Sequence, residues 1–234
     1  DGKRRDDHSL DVVTAAAQVL ADKPTLTFIT TPNNPTGTTV TLDEIAQLAE
    51  TAAQVNGLLI VDEAYAEFRP AGTPSAVSRL QANPRLVVVR TMSKAFSYAG
   101  ARVGYAATSP EIVDAIQLVR LPYHLSTITQ AVARVALRFS DQLQSQVALL
   151  RQERDDLAAW LSKQGFEVAP SGANFLLFGT FGDRNLVWEQ LVEQGVLIRQ
   201  TGPEGWLRVS IGTPEENQTF KTALLQVTNR SNGK

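Results

Sequence analysis

The sequence has 234 residues, of which 43% are hydrophobic and 20% charged, and its formal net charge is −2. Its basic residues are scattered, which argues against binding to nucleic acid or to a membrane surface, and only two histidines argue against a metal site. The absence of cysteine excludes disulfides and cysteine nucleophiles. The sequence shows no signal-peptide pattern, and no apolar stretch approaches the ~20 residues that a membrane span needs. We therefore expect a cytoplasmic protein.

The first half of the sequence alternates predicted helices and strands. Apolar residues recur every three or four positions in the helical segments, whereas the strands are short, all-apolar runs. A capping box at 41–44 is predicted to begin the second helix and Gly57 to end it. The predicted elements are a helix over 10–20 capped by Asp7 or Ser9, a strand over 25–30, a helix over 42–55, strands over 58–61, 86–89 and 103–108, and helices over 109–121 and 126–138.

The longest helical pattern runs over residues 140–164, with Arg154 as an exception in its apolar stripe. At about 1.5 Å per residue this helix spans roughly 36 Å, which is long enough to bridge two domains. We therefore predict a larger domain over 1–145 and a smaller one over 146–234. Later predicted elements are strands over 166–168, 174–178, 195–199 and 206–211, a helix near 185–194, and a helix that begins with a capping box at 213–216, after which 230–234 are expected to fray.

Alternating helices and all-apolar strands predict an α/β fold with a mostly parallel sheet that helices cover on both faces. The second half of the sequence, where strands and helices are less regular, predicts a smaller C-terminal α+β domain. No internal repeat and no low-complexity segment interrupts either half.

The predicted strand over 86–89 leads into a lysine flanked by hydroxyl groups. Lys94 lies just past the carboxyl end of this strand, which is where open α/β sheets bind ligands, and there its amine can attack a carbonyl. Thr91, Ser93 and Arg102 carry groups that suit a phosphate. A carbonyl and a phosphate on one ligand suggest pyridoxal phosphate. The alternative is that Lys94 lies in an ordinary loop and that Arg102 is a surface charge, and the spacing fits this interpretation equally well.

Three more polar residues follow strands. Asp62 can pair with a buried cation such as a pyridinium nitrogen, although most aspartates in this position cap a helix or a turn. Tyr65 can donate to a phenolic oxygen or simply pack. Asn34 lies in a loop that two prolines hold, where it can contact a ligand oxygen or only stabilise the turn. Glu63, beside Asp62, is expected to be a solvated or structural charge.

Two arginines belong to apolar strands of the second half. Arg199 and Arg208 can together bind one anionic group, and the alternative is that each forms a surface salt bridge. Competing motifs are absent: no glycine-rich dinucleotide loop, no P-loop and no GxSxG nucleophile elbow occurs in the sequence.

The combination of these residues resembles the class I/II aminotransferases, which have the PLP-dependent transferase fold type I. The resemblance covers essentially the whole sequence, and strings at 61–68, 120–126 and 195–199 are most similar to the branch that acts on histidinol phosphate. The motifs, in order, are Asn34-Pro35-Thr36-Gly37, Asp62-Glu63-Ala64-Tyr65, Thr91-Met92-Ser93-Lys94 with Arg102, and Arg208.

The resemblance implies a role for each residue in binding pyridoxal 5′-phosphate. Lys94 would bond covalently to the cofactor and then shuttle the proton of the substrate. Asp62 would hold the pyridinium nitrogen, and Tyr65 and Asn34 would contact the phenolic oxygen. The residues that would bind the cofactor phosphate are Thr91, Ser93 and Arg102.

The resemblance also implies the reaction. Histidinol phosphate and 2-oxoglutarate would give imidazole acetol phosphate and glutamate, a step of histidine biosynthesis. Histidinol phosphate has no carboxylate, so Arg208 with Arg199 would bind its phosphate, and Asn34 would also contact the substrate. Family members are usually homodimers, so a homodimer is expected.

Other functions remain open at this point. Within the family, an aromatic aminotransferase or a threonine-phosphate decarboxylase would use similar motifs, and an aminotransferase-like module that binds an effector without catalysis is a third possibility. Family members also carry a segment before the position of Asp1, with a glycine-containing phosphate loop and an aromatic residue that stacks on the cofactor. We therefore expect either a piece of a longer polypeptide or a true truncation, and where the strands of that segment are missing, sheet edge and core are expected to be exposed.

Overall fold

The computed structural model describes residues 2–231. In this range no helix is long and apolar enough to cross a bilayer. The helices are α1 (Val12–Asp22), α2 (Leu42–Gln54), α3 (Pro110–Val119), α4 (Thr127–Leu137), α5 (Ser140–Lys163), α6 (Arg184–Glu193) and α7 (Pro214–Ser231). The strands are β1 (Leu26–Thr30), β2 (Leu58–Asp62), β3 (Leu86–Thr91), β4 (Gly104–Ala107), β5 (Glu167–Val168), β6 (Phe175–Gly179) and β7 (Leu207–Ser210).

The first four strands form one mixed sheet in the order β1-β2-β3-β4. Strands β1, β2 and β3 are parallel, whereas β4 pairs antiparallel with β3. Asp62 at the end of β2 lies between Thr30 of β1 and Val89 of β3. The predicted α/β arrangement with a mostly parallel sheet is confirmed.

One face of this sheet is covered and the other is partly open. Helices α1 and α2 pack on the covered face, where Ile29, Leu59 and Val88 belong to a single buried cluster with residues of both helices. On the opposite face of β1, Phe28 is 67% exposed and Leu26 is 46% exposed. The prediction that both faces are covered is therefore wrong at β1, because in a strand alternate side chains point to opposite faces and only one of them is packed here.

Helix α1 begins later than predicted. Its cap is Asp11, whose Oδ1 accepts a hydrogen bond from the backbone N–H of Thr14 at 3.1 Å. Asp7 instead accepts bonds from the backbone N–H and the hydroxyl of Ser9, at 2.9 and 2.6 Å. Both predicted caps are thus used to form a turn before the helix.

Helix α2 begins as predicted, and it ends in a different way. The capping box is present, since Thr41 N–H donates to Glu44 Oε2 at 2.7 Å and Glu44 N–H donates to Thr41 Oγ1 at 3.3 Å. At the other end Asn56, with a φ of 58°, adopts the left-handed conformation instead of Gly57. Glycine is required at 57 for space, because a Cβ there would lie 2.5 Å from the carbonyl oxygen of Pro24.

The second sheet is antiparallel, in the order β5-β6-β7. A predicted strand over 195–199 is wrong except at its end, where Arg199 forms an isolated antiparallel bridge with Arg208. Helix α7 reaches Ser231 and 232–234 lie outside the described residues, so the fraying over 230–234 stays a prediction. The core between this sheet and helices α5, α6 and α7 includes Leu157, Leu161, Leu176, Phe178, Leu191, Leu207, Phe220 and Leu224.

Helix α5 connects the two halves through a buried arginine. Arg154 is 4% exposed, and its Nη1 donates to the carbonyl oxygens of Phe68 at 2.7 Å and Ala173 at 3.1 Å. Phe68 follows β2 and Ala173 precedes β6, so one guanidinium group joins segments of both sheets. The polar exception in the apolar stripe of this helix is therefore one of the links between the halves.

Replacing Arg154 with methionine is expected to lower the free energy of unfolding by about 3 kcal/mol, because two buried carbonyls would lose their donor. Urea unfolding measures this difference. Gln152→Met is the matched control, since Gln152 lies on the exposed side of the same helix. Equal unfolding midpoints for the two variants would show that Arg154 does not link the halves.

Candidate active site

The predicted site residues begin at the carboxyl ends of β2 and β3. Strand alternation places Asp62 and Thr91 on the same face as Phe28, the partly open face of the sheet. Asp62 Oδ1 accepts a hydrogen bond from the backbone N–H of Ala64 at 2.9 Å, which orients the carboxylate at the strand end. This edge of the sheet therefore presents a carboxylate and a hydroxyl side by side on neighbouring strands.

Lys94 lies in the turn that follows β3. Backbone bonds from Ser97 N–H to Lys94 O at 3.1 Å and from Tyr98 N–H to Met92 O at 2.9 Å shape this turn. The side chain is exposed, and Nζ lies 5.5 Å from the centroid of the Tyr65 ring. The lysine thus occupies a loop, and its amine faces the predicted site.

A chain of two hydrogen bonds joins three predicted residues that are far apart in sequence. Asn34 Nδ2 donates to the Tyr65 hydroxyl at 3.4 Å, and Arg208 Nη1 donates to Asn34 Oδ1 at 2.5 Å. The amide of Asn34 is thereby oriented by both neighbours, with its nitrogen towards the phenol and its oxygen towards the guanidinium group. Residues from three segments of the chain converge beside Lys94.

The loop that carries Asn34 packs directly against the C-terminal half. The N–H of Gly172 donates to the carbonyl of Gly37 at 2.9 Å. Gly37 has a φ of 81°, and a Cβ there would lie 2.3 Å from Ser171 Oγ. Glycine is needed at 37 both for the backbone conformation and for this close approach.

Arg208 has a half-buried guanidinium group with spare donors. It lies over the ring of Phe175, with Cζ 4.7 Å from the ring centroid, and among residues 2–231 its buried Nε has no hydrogen-bond partner. Burial lowers the pKa of Arg208, Tyr65 opposes this effect, and Arg199 lowers the pKa further. An anion placed beside the guanidinium group would favour its charge.

Arg199 lies directly opposite Arg208 in the antiparallel bridge. The two backbones exchange both hydrogen bonds, at 3.0 and 2.9 Å, so the two side chains leave the same face of the pair. Arg199 is exposed. The structure thus brings the two predicted arginines together, with one of them held by neighbours and the other free to reach outward.

The residues predicted to hold a phosphate are near each other in sequence, and their hydrogen bonds stay within the segment from Thr91 to Val103. Thr91 Oγ1 accepts from Ser93 N–H at 3.1 Å and donates to Val103 O at 3.4 Å. Arg102 Nη1 donates to Ala99 O at 3.1 Å. Their joint role on one phosphate stays a prediction.

One residue at the site was not recognised from the sequence. Phe175 is 2% exposed, and its ring meets the Tyr65 ring edge-on at 5.2 Å while it also supports Arg208. It lies in a strand that is apolar throughout, so no local signal distinguishes it.

Glu63 is fully buried, so its interpretation as a solvated charge is wrong, whereas its interpretation as a structural charge holds. Strand alternation offered a signal, since it places Glu63 on the covered face with Val61.

The sequence matches the family model for aminotransferase class I and II over residues 3–224, and the chain belongs to this family. A histidinol-phosphate aminotransferase of Thermobifida fusca is 56% identical over 228 residues, covering 97% of this chain and 61% of that protein. The chain thus spans about three fifths of the length of such curated relatives.

Solved structures agree in fold. A putative histidinol-phosphate aminotransferase from Erwinia carotovora superposes with a TM-score of 0.90 at 27% identity, covering 99% of this chain and 68% of that chain. The histidinol-phosphate aminotransferase from Sinorhizobium meliloti, crystallised with pyridoxal 5′-phosphate, gives 0.87 at 26% identity and covers 97% of this chain and 63% of that chain. The predicted PLP-dependent transferase fold type I is confirmed.

Proposed function

We propose that this chain carries the catalytic site of a PLP-dependent aminotransferase that acts on histidinol phosphate. The observation that supports this function best is the hydrogen-bonded set Tyr65, Asn34 and Arg208 beside the amine of Lys94. Relatives with 47–56% identity that are named histidinol-phosphate aminotransferases add support.

The donor set fits pyridoxal 5′-phosphate. Lys94 offers an amine to an aldehyde, Asp62 a carboxylate to a ring nitrogen, and Tyr65 with Asn34 a hydroxyl and an amide to a phenolic oxygen. When bound, the cofactor accepts the electrons released as the Cα–H bond of the substrate breaks. The residues proposed to bind its phosphate are Thr91, Ser93 and Arg102.

The residues of the chain then have distinct tasks. Lys94 would hold the cofactor through Nζ, and the same amine would move the substrate proton between Cα and C4′ of the cofactor. The negative charge of Asp62 keeps the ring nitrogen protonated, because an opposite charge nearby favours the charged form. Arg208, with Arg199 beside it, binds the phosphate of the substrate, since two guanidinium groups suit a dianion better than one.

The overall reaction converts histidinol phosphate and 2-oxoglutarate to imidazole acetol phosphate and glutamate, in histidine biosynthesis. We assign residues 1–145 to part of the large PLP-binding domain and 146–234 to the small C-terminal domain. This division is supported by separate buried clusters around the two sheets. A cytoplasmic location remains a prediction from the cysteine-free composition.

A homodimer is part of the proposal. Helices α3 and α4 and the segment between them expose large apolar side chains, which a partner subunit would cover. Five of these side chains are between 75% and 98% exposed, namely Leu118, Val119, Leu121, Tyr123 and Ile128.

A substrate panel tests the proposed reaction. The purified chain with pyridoxal phosphate is offered 2-oxoglutarate together with histidinol phosphate, phenylalanine or O-phosphothreonine, and glutamate and CO₂ are measured. We expect glutamate to form fastest with histidinol phosphate. Faster transfer from phenylalanine would indicate an aromatic aminotransferase, and CO₂ release from O-phosphothreonine a decarboxylase. Cofactor binding by the complete polypeptide without any turnover would indicate an effector-binding module.

A further inference from the structure

A buried cluster of four charged residues lies directly behind the candidate active site. Its members are Glu63 at the end of β2, Glu67 and Arg69 in and after the following turn, and Arg90 in β3. Glu63 is fully buried, and the side chains of Arg69, Glu67 and Arg90 are only 4%, 9% and 17% exposed. Two carboxylates and two guanidinium groups balance each other, so the cluster has no formal net charge.

Glu63 is the centre of the cluster. Its Oε2 accepts from Arg90 Nε at 3.0 Å, from Arg90 Nη2 at 2.9 Å and from Ser75 Oγ at 2.6 Å. Its Oε1 accepts from the backbone N–H of Ala76 at 2.9 Å and lies 3.4 Å from Arg69 Nη2. One carboxylate therefore ties the end of β2 to β3 and to the connection between the two strands.

Arg90 completes the cluster through a second carboxylate. Its Nη1 donates to Glu67 Oε1 at 2.7 Å, so the planar guanidinium group bonds to two acidic residues at once. Burial opposes the charge of Arg90, but Glu63 and Glu67 outweigh it, and the pKa of Arg90 lies above its ordinary value. Arg90 is therefore held in its charged form.

The cluster and the site residues occupy opposite faces of the same two strands. Asp62 and Glu63 are consecutive, and so are Arg90 and Thr91, so alternation places Asp62 and Thr91 on one face and the Glu63–Arg90 pair on the other. Between them, Glu63 N–H donates to Val89 O at 2.9 Å and joins the two strand ends. A shift of the buried pair must move the backbone that carries Asp62 and the turn that leads to Lys94.

We propose that the Glu63–Arg90 ion pair is a positioning device for the cofactor site, which sets the spacing between Asp62 and the Thr91–Lys94 turn. This inference rests on the proposed function, since it assumes that those residues bind pyridoxal phosphate. The pair itself contacts no ligand and acts through the strand ends. A buried pair of this kind is a poor source of net stability, and a role in fixing geometry accounts for its position better.

The test is a cofactor titration of the unsubstituted chain and three variants, with Arg90→Lys as the main one. Lysine keeps the positive charge, but it lacks the planar fork that bonds Glu63 and Glu67 together. Glu63→Gln removes the charge of the other partner. Arg79→Lys is the matched control, because Arg79 forms an ion pair with Asp43 at 2.7 Å that is largely exposed, at 39% and 93%.

Binding is measured by the visible absorption of added pyridoxal phosphate, at a temperature where circular dichroism shows every variant to be folded. Borohydride reduction and peptide mapping then identify the lysine that bonds to the cofactor. We expect Arg90→Lys and Glu63→Gln to raise the dissociation constant by about tenfold to a hundredfold, the effect that removing the groups that orient metal ligands has on metal affinity. Arg79→Lys is expected to leave it unchanged.

Two results overturn the inference, and they are distinguishable. If Arg90→Lys lowers the unfolding temperature but binds the cofactor as tightly as the unsubstituted chain does, the pair is only structural and the proposed function stands. If the unsubstituted chain does not bind the cofactor, or reduction traps it on lysines other than Lys94, the proposed function fails and the inference fails with it. If Glu63→Gln does not fold, Arg90→Lys alone decides.

Discussion

Replacing Lys94 with alanine is expected to abolish the visible absorption of the imine that lysine forms with pyridoxal phosphate and to lower turnover by about 10⁴-fold, the upper range for one positioned acid–base group. The reason is that Nζ of Lys94 is the amine that faces Tyr65, 5.5 Å from its ring centroid. Alanine offers neither a bond to the cofactor nor a carrier for the proton. Absorption spectra and a glutamate assay measure the two effects.

The fold should survive this substitution, because the side chain of Lys94 is exposed and lies in a turn whose hydrogen bonds are made by the backbone. Lys163→Ala, at the exposed end of α5, is the matched control and should keep both absorption and activity. Unchanged absorption in Lys94→Ala would refute the assignment of this lysine and, with it, the proposed mechanism.

Replacing Arg208 with alanine is expected to weaken binding of histidinol phosphate by about tenfold to a hundredfold, since a hydrogen bond to a charged group contributes roughly 1.5–3 kcal/mol. Asn34 and the Phe175 ring hold Arg208 in place, and its Nε lacks a partner among the described residues, so a phosphate would gain a donor that is already oriented. Arg199→Ala should have a smaller effect in the same direction, because Arg199 is exposed and water and salt screen its charge.

Equilibrium binding of histidinol phosphate and of unphosphorylated histidinol separates this role from a general loss of structure. Arg199→Ala should bind histidinol as the unsubstituted chain does, and Arg208→Ala should lose less affinity for histidinol than for histidinol phosphate, because it also frees the amide of Asn34. Arg208→Lys is expected to restore part of the affinity, because it keeps the charge without the planar pair of donors. If neither alanine variant weakens binding of the phosphorylated substrate, the two arginines do not form the phosphate site.

Much of the secondary structure could be predicted because its signals are local. The capping box at Thr41 and Glu44 needs only residues three apart, and the all-apolar strands before Asp62 and Lys94 need only a short run. Predictions failed where two local signals competed or where none was present. Asp7, Ser9 and Asp11 can all cap a helix, and only the turn that the first two form selects Asp11.

The candidate site was predicted as a set of residue types, without its contacts. Asn34, Tyr65 and Arg208 could each be named from the residues around them, but their hydrogen-bonded chain depends on how the 32–37 loop packs against the C-terminal half. Phe175 could not be recognised, because a buried aromatic in an apolar strand has the same pattern whether it supports a site or only fills a core.

The sequence by itself determined the α/β class, the order of the site motifs and the candidate residues, because periodicity, capping and turn chemistry act over a few neighbouring positions. Only the tertiary structure decided which residues meet. It placed Arg199 opposite Arg208, buried Glu63 against Arg90, and left one face of β1 open. These outcomes depend on strand register and on long-range packing, in which residues distant in the chain compete for the same space.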